Sequence, residues 1–367
     1  MFLHSLFFIM LKKFLNTNFV YKNWLLIISV LSFIVSTLYV KHLPILTPRE
    51  IKVLFILFLL FVIIRGITNT GIINFWVNKF SRGKYIPLKL VLITFILSMI
   101  VTNDIAIIII VPFSLALNLN KKGTIIILET LAANAGSALT PIGNPQNLYI
   151  YLYFHLNLLQ FVSTIAPFSL LLLIVLILFS IQIKSEIRYL ETKEEIIRNF
   201  INKRTYFFIG SFLIILAVIF KLLPWYVLIL ILILSFFTDQ NSLKVDYALL
   251  LTFFFFFGIA ENLRSLITTE FSTSHNIFLV SALISQITSN VPTTLIFAKL
   301  TKNWEHLLWG VNAGGFGSLI ASFANLIAYK FYVESISKSD VASFTLKFTV
   351  YSYLFLFVSF AIYFILQ

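Results

Sequence analysis

The chain has 367 residues, 60% of them apolar and 11% charged, with a mean hydropathy of +0.99. A water-facing surface draws on roughly 25% charged residues, so this composition excludes a soluble globular protein and points to an integral membrane protein. Zero cysteines exclude thiol catalysis, thiolate metal sites and disulfides, and the net charge of +13 sits on Lys and Arg between apolar runs, where it orients the chain rather than binding nucleic acid.

Residues 1–22 read as a cytoplasmic N-terminal segment: Lys12 and Lys13 follow the first apolar stretch rather than precede it, so no cleavable signal peptide is expected. Apolar runs at 24–40 and 51–67 approach the roughly 20 residues a spanning helix needs. Residues 87–117 are long enough to cross twice only as half-helices and carry a polar centre of Thr102, Asn103 and Asp104, the pattern of a re-entrant hairpin. Residues 124–154 are apolar at both ends, while Asn134, Ser137, Thr140, Pro141, Gly143, Asn144, Pro145 and Asn147 interrupt the middle. That is a broken helix. A span at 158–183 and a linker at 184–204 follow, the linker rich in both signs of charge.

Further spans are expected at 206–222, 225–237 and 247–263. A second hairpin at 275–300 centres on Ser289 and Asn290 followed by Pro292, and a second broken helix at 306–332 holds Asn312, Gly315, Ser318 and Asn325. A last span covers 344–366. Non-helical backbone at membrane depth persists only where protein or a water-filled cavity satisfies its N–H and C=O groups, so four breaks imply one shared interior site.

The breaks also repeat. Asn134-Ala135-Gly136 matches Asn312-Ala313-Gly314, Thr140 falls on Ser318, and Asn147-Leu148 matches Asn325-Leu326, all offset by 178 residues, while Asn103 answers Asn290 upstream. The first hairpin is flanked by Lys79, Arg82, Lys84, Lys89, Lys121 and Lys122 with no acid, which places that side in the cytoplasm. The second is flanked by the mixed set Arg264, Glu270, Lys299, Lys302 and Glu305 and is expected to open outward. With Lys12, Lys13 and Lys22 on the inside, the N-terminus is cytoplasmic and the C-terminus external. The expectation is an all-α polytopic membrane protein of two inverted repeats, residues 23–183 and 205–367, the second with one additional linking span. Inverted repeats with paired discontinuous helices are the architecture of secondary transporters.

At these residues the sequence resembles the ion transporter superfamily of citrate and dicarboxylate transporters, arsenite permeases and sodium/proton antiporters, over nearly the whole chain after residue 20. Its specific parts are Thr102 to Ala106 with Pro112, Ala133 to Asn147, and Ser289-Asn290 with Asn312 to Gly315. The sodium/dicarboxylate branch carries Ser-Asn-Thr at each tip, where tip and unwound helix bind sodium and substrate carboxylates. Here the tips read Thr-Asn-Asp and Ser-Asn-Val, the first closer to the arsenite-permease branch. The resemblance implies elevator-type alternating access in the plasma membrane.

Half-helix N-termini suit an anion, and unwound carbonyls with Asn or Ser oxygens suit a small cation. The expected binding residues are Thr102, Asn103, Asp104, Ser137, Thr140, Gly143, Asn144, Asn147, Ser289, Asn290, Gly315, Ser318 and Asn325, with sodium at Asn103, Asp104, Ser289 and Asn290. Asn147 and Asn325 either cap the second half-helices or face a ligand. Asp104 either carries the coupling cation or proton or pairs with a basic residue such as Arg65; Glu129 and Glu261, near the polar breaks, are secondary candidates.

The five histidines (His4, His42, His155, His275, His306) show no metal-ligand spacing, Gly314-Gly315-Phe316-Gly317 lacks the context of a phosphate loop, and no nucleophile elbow is present. The reading is a non-enzymatic secondary transporter of a small citrate-like or inorganic anion, coupled to sodium or protons with no other cofactor, its partners being lipid, its substrate and a second copy in a homodimer. A sodium/proton antiporter or arsenite exporter is the alternative, and a channel or membrane hydrolase the alternatives of another class.

Overall fold

The computed structural model describes residues 24–80, 83–117, 119–183, 202–266, 274–337 and 339–366. The expectations for residues 1–22, for linker residues 184–201, for Arg82 and Glu270, and for the side chain of His275 fall outside that set. Among the described residues the regular structure is wholly helical. The first half holds α1 (Trp24–Val40), α2 (Pro48–Asn69), α3 (Ile72–Phe80), the hairpin α4 (Ile86–Val101) and α5 (Asn103–Ala116), the broken helix α6 (Lys122–Ala138) and α7 (Pro145–Tyr153), and α8 (Leu158–Ile181). The second holds α9 (Lys203–Ile219), α10 (Val227–Thr238), α11 (Tyr247–Leu266), the hairpin α12 (Ser274–Thr288) and α13 (Asn290–Phe297), the broken helix α14 (Trp304–Ala313) and α15 (Phe323–Val333), and α16 (Val341–Leu366). Both hairpins and both broken helices break where the polar residues stand.

Among the described residues, four segments are long and apolar enough to cross a bilayer unaided: α2, α8, residues 240–265 leading through α11, and α16. The expected span at 225–237 is shorter than a bilayer. α10 has 12 residues, about 18 Å of helix against about 30 Å of hydrocarbon, because Pro224 and Asp239 bound the apolar run. It still returns the chain along α2: Trp225 meets Phe55 edge-on, and Asp239 accepts a hydrogen bond from Asn69 Nδ2 at 3.1 Å. The amphipathic α3 was not anticipated; Val77 on it packs against Ile109 and Ile110 of α5.

Two helices organise the rest. α2 begins on a capping box, in which the Thr47 hydroxyl accepts from Glu50 N–H and Glu50 accepts from Thr47 N–H, with Pro48 at the first helical position. It packs against α9, α10 and α11. α6 is buried on every side from Ile125 to Ala138, between α4, α5, α8, α15 and α16. Gly136 allows the closeness to α4, since a Cβ there would meet the Phe95 carbonyl; Gly314 does the same against Ser285 of α12. Apolar residues exposed on α1 (Val35, Leu38), α10 (Phe237) and α16 (Leu346, Phe357) form the surface that lipid covers.

The two hairpins approach from opposite ends of α2. The first follows α3, which leaves the Asn69 end, whereas Lys299 at the close of the second pairs with Glu50 at the other end. Their tips meet in the middle.

Candidate functional site

Each tip is one residue of extended backbone at positive φ between two helices: Thr102 at φ +82° and ψ 150°, Ser289 at φ +75° and ψ 155°. The turn frees the first N–H groups of α5 and α13 from intrahelical bonds, and each tip bonds the unwound part of a broken helix. Asn103 N–H donates to the Gly143 carbonyl at 3.0 Å, and Ser289 Oγ donates to the Ala321 carbonyl at 3.3 Å.

The unwound segments are held by asparagine amides in matching sets. Asn147 Nδ2 donates to the carbonyls of Ser137, Ala138 and Thr140; Asn325 Nδ2 donates to those of Gly315 and Ser318. Thr140 Oγ1 donates to the Met99 carbonyl at 2.6 Å, and Ser318 Oγ to that of Gln286 at 2.7 Å. The halves also clasp each other. Asn134 Nδ2 donates to Asn325 Oδ1 at 2.8 Å, and Asn312 Nδ2 donates to Asn147 Oδ1 at the same distance. Ser322 Oγ donates to Asn134 Oδ1, and Asn144 Nδ2 to Asn312 Oδ1.

Asn147 and Asn325 are therefore not the caps of the second half-helices. Asn144 is the N-cap of α7, accepting from Asn147 N–H at 2.9 Å, and Ser322 stands at the N-cap of α15, so the two later amides are left to hold the unwound carbonyls.

A crevice of about 20 Å³, room for one water-sized occupant, lies where the tips converge. Asn103, Asp104, Ser289, Asn290 and Ser322 line it with Gln146. These include all four residues expected to hold sodium. Ser137, Thr140, Gly143, Asn144, Asn147, Gly315, Ser318 and Asn325 stand in the surrounding hydrogen-bonded frame, and Thr102 lines the next cavity outward. The tips differ in what they leave open. At the first, Thr102 Oγ1 and Asn103 Oδ1 are buried without a hydrogen-bond partner, while Asn103 Nδ2 donates to Asn134 and Ser322. At the second, Asn290 Nδ2 donates to no described residue.

Asp104 joins the crevice to a cavity of about 150 Å³ lined by Thr102, Arg65, Lys244, Asp246 and Phe323. Arg65 and Lys244 continue into an open cavity of about 540 Å³ with Arg204 and Asn202. Shared lining residues thus link a basic mouth, the middle cavity and the tips in order. The Arg65–Asp104 pair, one of the two alternatives for Asp104, does not form: both line the middle cavity, but no ion pair joins them, and Arg65 is exposed at the basic mouth. Glu129 lies away from the crevice, accepting from Ser114 Oγ at 2.5 Å, and Glu261 pairs with Lys299 at 2.7 Å. His306 Nδ1 bonds the Tyr363 hydroxyl, and no cluster of three His, Asp or Glu exists among the described residues.

Sequence reasoning passed over Asn134, Asn312 and Ser322 as site residues. The 178-residue offset held the signal, since it pairs Asn134 with Asn312 and the caps Asn144 with Ser322.

The sequence pattern of the citrate transporter family matches residues 6–328. The chain belongs to the citrate transporter family. This member is 37% identical over 306 residues to an uncharacterized transporter of Methanocaldococcus jannaschii, covering 78% of this chain and 84% of the relative. It is 30% identical over 273 residues to the inner membrane protein YbiR of Escherichia coli, covering 69% of this chain and 71% of that one. It is a multi-pass membrane transporter.

Proposed function

We propose that this protein is a secondary active transporter of a small carboxylate, citrate-like in class, or of an inorganic oxyanion of similar charge, and that a sodium ion or proton bound at the first hairpin tip drives it. The observation that carries the reading is the chemical difference between tips sharing one crevice. At the crevice, Asn103 Oδ1, buried without a partner, and the Asp104 carboxylate are hard oxygens of the kind a small cation takes, with the orphaned Thr102 hydroxyl on the adjoining cavity, and the Asn290 amide at the start of α13 is a donor of the kind an anion takes.

The order of binding follows from charge. An anion leaving the middle cavity meets Asp104 and Asp246, and two like charges a few ångströms apart repel by about 4 kcal/mol where the effective dielectric is near 20. Neutralising Asp104 first lowers that barrier, which makes cation and anion binding interdependent. The halves lie inverted in the membrane, in line with hairpins that start from opposite ends of α2, and the hairpins with their broken helices move as a unit against α1, α2 and α9–α11.

The test is uptake of labelled citrate, with phosphate and arsenite as competitors, into proteoliposomes holding a sodium or a proton gradient. The parent should accumulate anion only with the driving gradient. Asn290→Ala should lose anion binding and uptake, and Asp104→Asn should keep anion exchange but lose gradient dependence. Uptake by Asp104→Asn that still follows the gradient would reject the coupling role; conduction without coupling in the parent would mean a channel.

A further inference from the structure

At the end of the molecule away from the basic mouth, one cation meets two carboxylates. Lys299 Nζ lies 2.5 Å from Glu50 Oε1 and 2.7 Å from Glu261 Oε2, and also donates to the Phe257 carbonyl at 3.5 Å. The lysine follows α13 and so closes the second hairpin; Glu50 opens α2, and Glu261 and Phe257 belong to α11. By helical rise, Glu50 lies about 22 Å along α2 from Arg65, which opens on the basic mouth.

We propose that Lys299 is a positioning residue of the transport cycle, whose ion pairs hold the second hairpin against α2 and α11 at the end opposite the basic mouth and break when that end opens. The proposal rests on the transport reading above. Three features make this a breakable latch rather than a static brace. Lys299 and Glu50 are 3% and 2% exposed, so their attraction is strong while dry and falls steeply once water enters. Glu261 is 34% exposed, which gives water its way in. Glu50 keeps partners without the lysine, because its Oε2 already accepts from the Thr47 N–H at 2.7 Å and hydroxyl at 3.0 Å.

A replacement donor also stands nearby. Tyr149 of α7 packs on Phe257 with centroids 5.3 Å apart and has a buried hydroxyl with no hydrogen-bond partner. The latch thus joins the hairpin to both long helices, with the first broken helix packed on Phe257 beside it. A buried ion pair is a poor way to gain stability, since apolar residues of the same volume often do as well, but its dependence on dryness makes it a good two-state contact.

The test places nitroxides at Ile45→Cys, in the loop before α2, and Lys302→Cys, after the second hairpin, in the otherwise cysteine-free full chain, and reads their distance distribution by pulsed electron resonance without substrate. The parent should give one population. Lys299→Met, and the milder Glu261→Gln should the former not fold, should add a second population longer by about one helical turn, 5.4 Å, or more, and Lys299→Arg should restore the first. A distribution unchanged in the variants overturns the proposal; so does a shift that arginine does not reverse, since packing rather than charge would then hold the hairpin. Because no substrate is present, absence of uptake in liposomes would sink the transport reading and leave this result standing.

Discussion

Thr102 and Ser289 are the residues at which the chain departs furthest from its conformational preferences. A positive φ with ψ near 150° is a region used almost only by glycine, and each such residue costs about 1–3 kcal/mol, more comfortably for serine than for β-branched threonine. The Thr102 hydroxyl, buried and unpartnered, adds to that cost. Thr102→Gly should therefore raise thermal stability in detergent, by about 1–2 kcal/mol, while weakening cation-driven uptake. A melting temperature that falls would show that the threonine is held by favourable contacts, and uptake equal to the parent's would remove its hydroxyl from the cation site.

At the scale of the element, closeness between helices is set by single hydrogens. Gly136→Ala would push a methyl group into the Phe95 carbonyl of α4, and Gly314→Ala would do the same to Ser285 of α12. Neither neighbour can yield easily, since one is backbone and the other lies in a buried helix contact. Each substitution should destabilise the protein by about 1–3 kcal/mol in thermal unfolding, whereas Gly210→Ala, with open space around it, should cost nothing. Equal melting of all three would reject tight packing. The breaks were legible in the sequence because Asn, Ser, Thr, Pro and Gly interrupt apolar runs there, and element ends came within a few residues. α3 was not legible, being nine residues long and mixed in polarity. Neither was the basic mouth, because Arg65, Arg204 and Lys244 come from three separate stretches that only the packing of α9 and α10 on α2 brings together.

For the whole molecule the decisive quantity is which face each hairpin enters from. Cysteine at Lys121 should react with an impermeant reagent only from the cytoplasmic side, and cysteine at Lys302 only from the external side, each being the sole thiol present. Labelling of both from one face would remove the inverted arrangement. The sequence offset aligned the halves in order but not in contact: it matched Asn134 with Asn312, yet nothing in a linear pattern says that each would reach across to the asparagine in the first turn of the other half's second half-helix.

That crossing has a consequence for descent. Since Asn134 is satisfied by Asn325 and Asn312 by Asn147, the two halves cannot drift apart independently. A change at one asparagine removes a partner from an amide in the opposite half, so tolerated variation at these positions should come in linked substitutions far apart in the gene. A chimera joining halves from two diverged relatives should fail at these four positions before it fails anywhere on its lipid-facing surface.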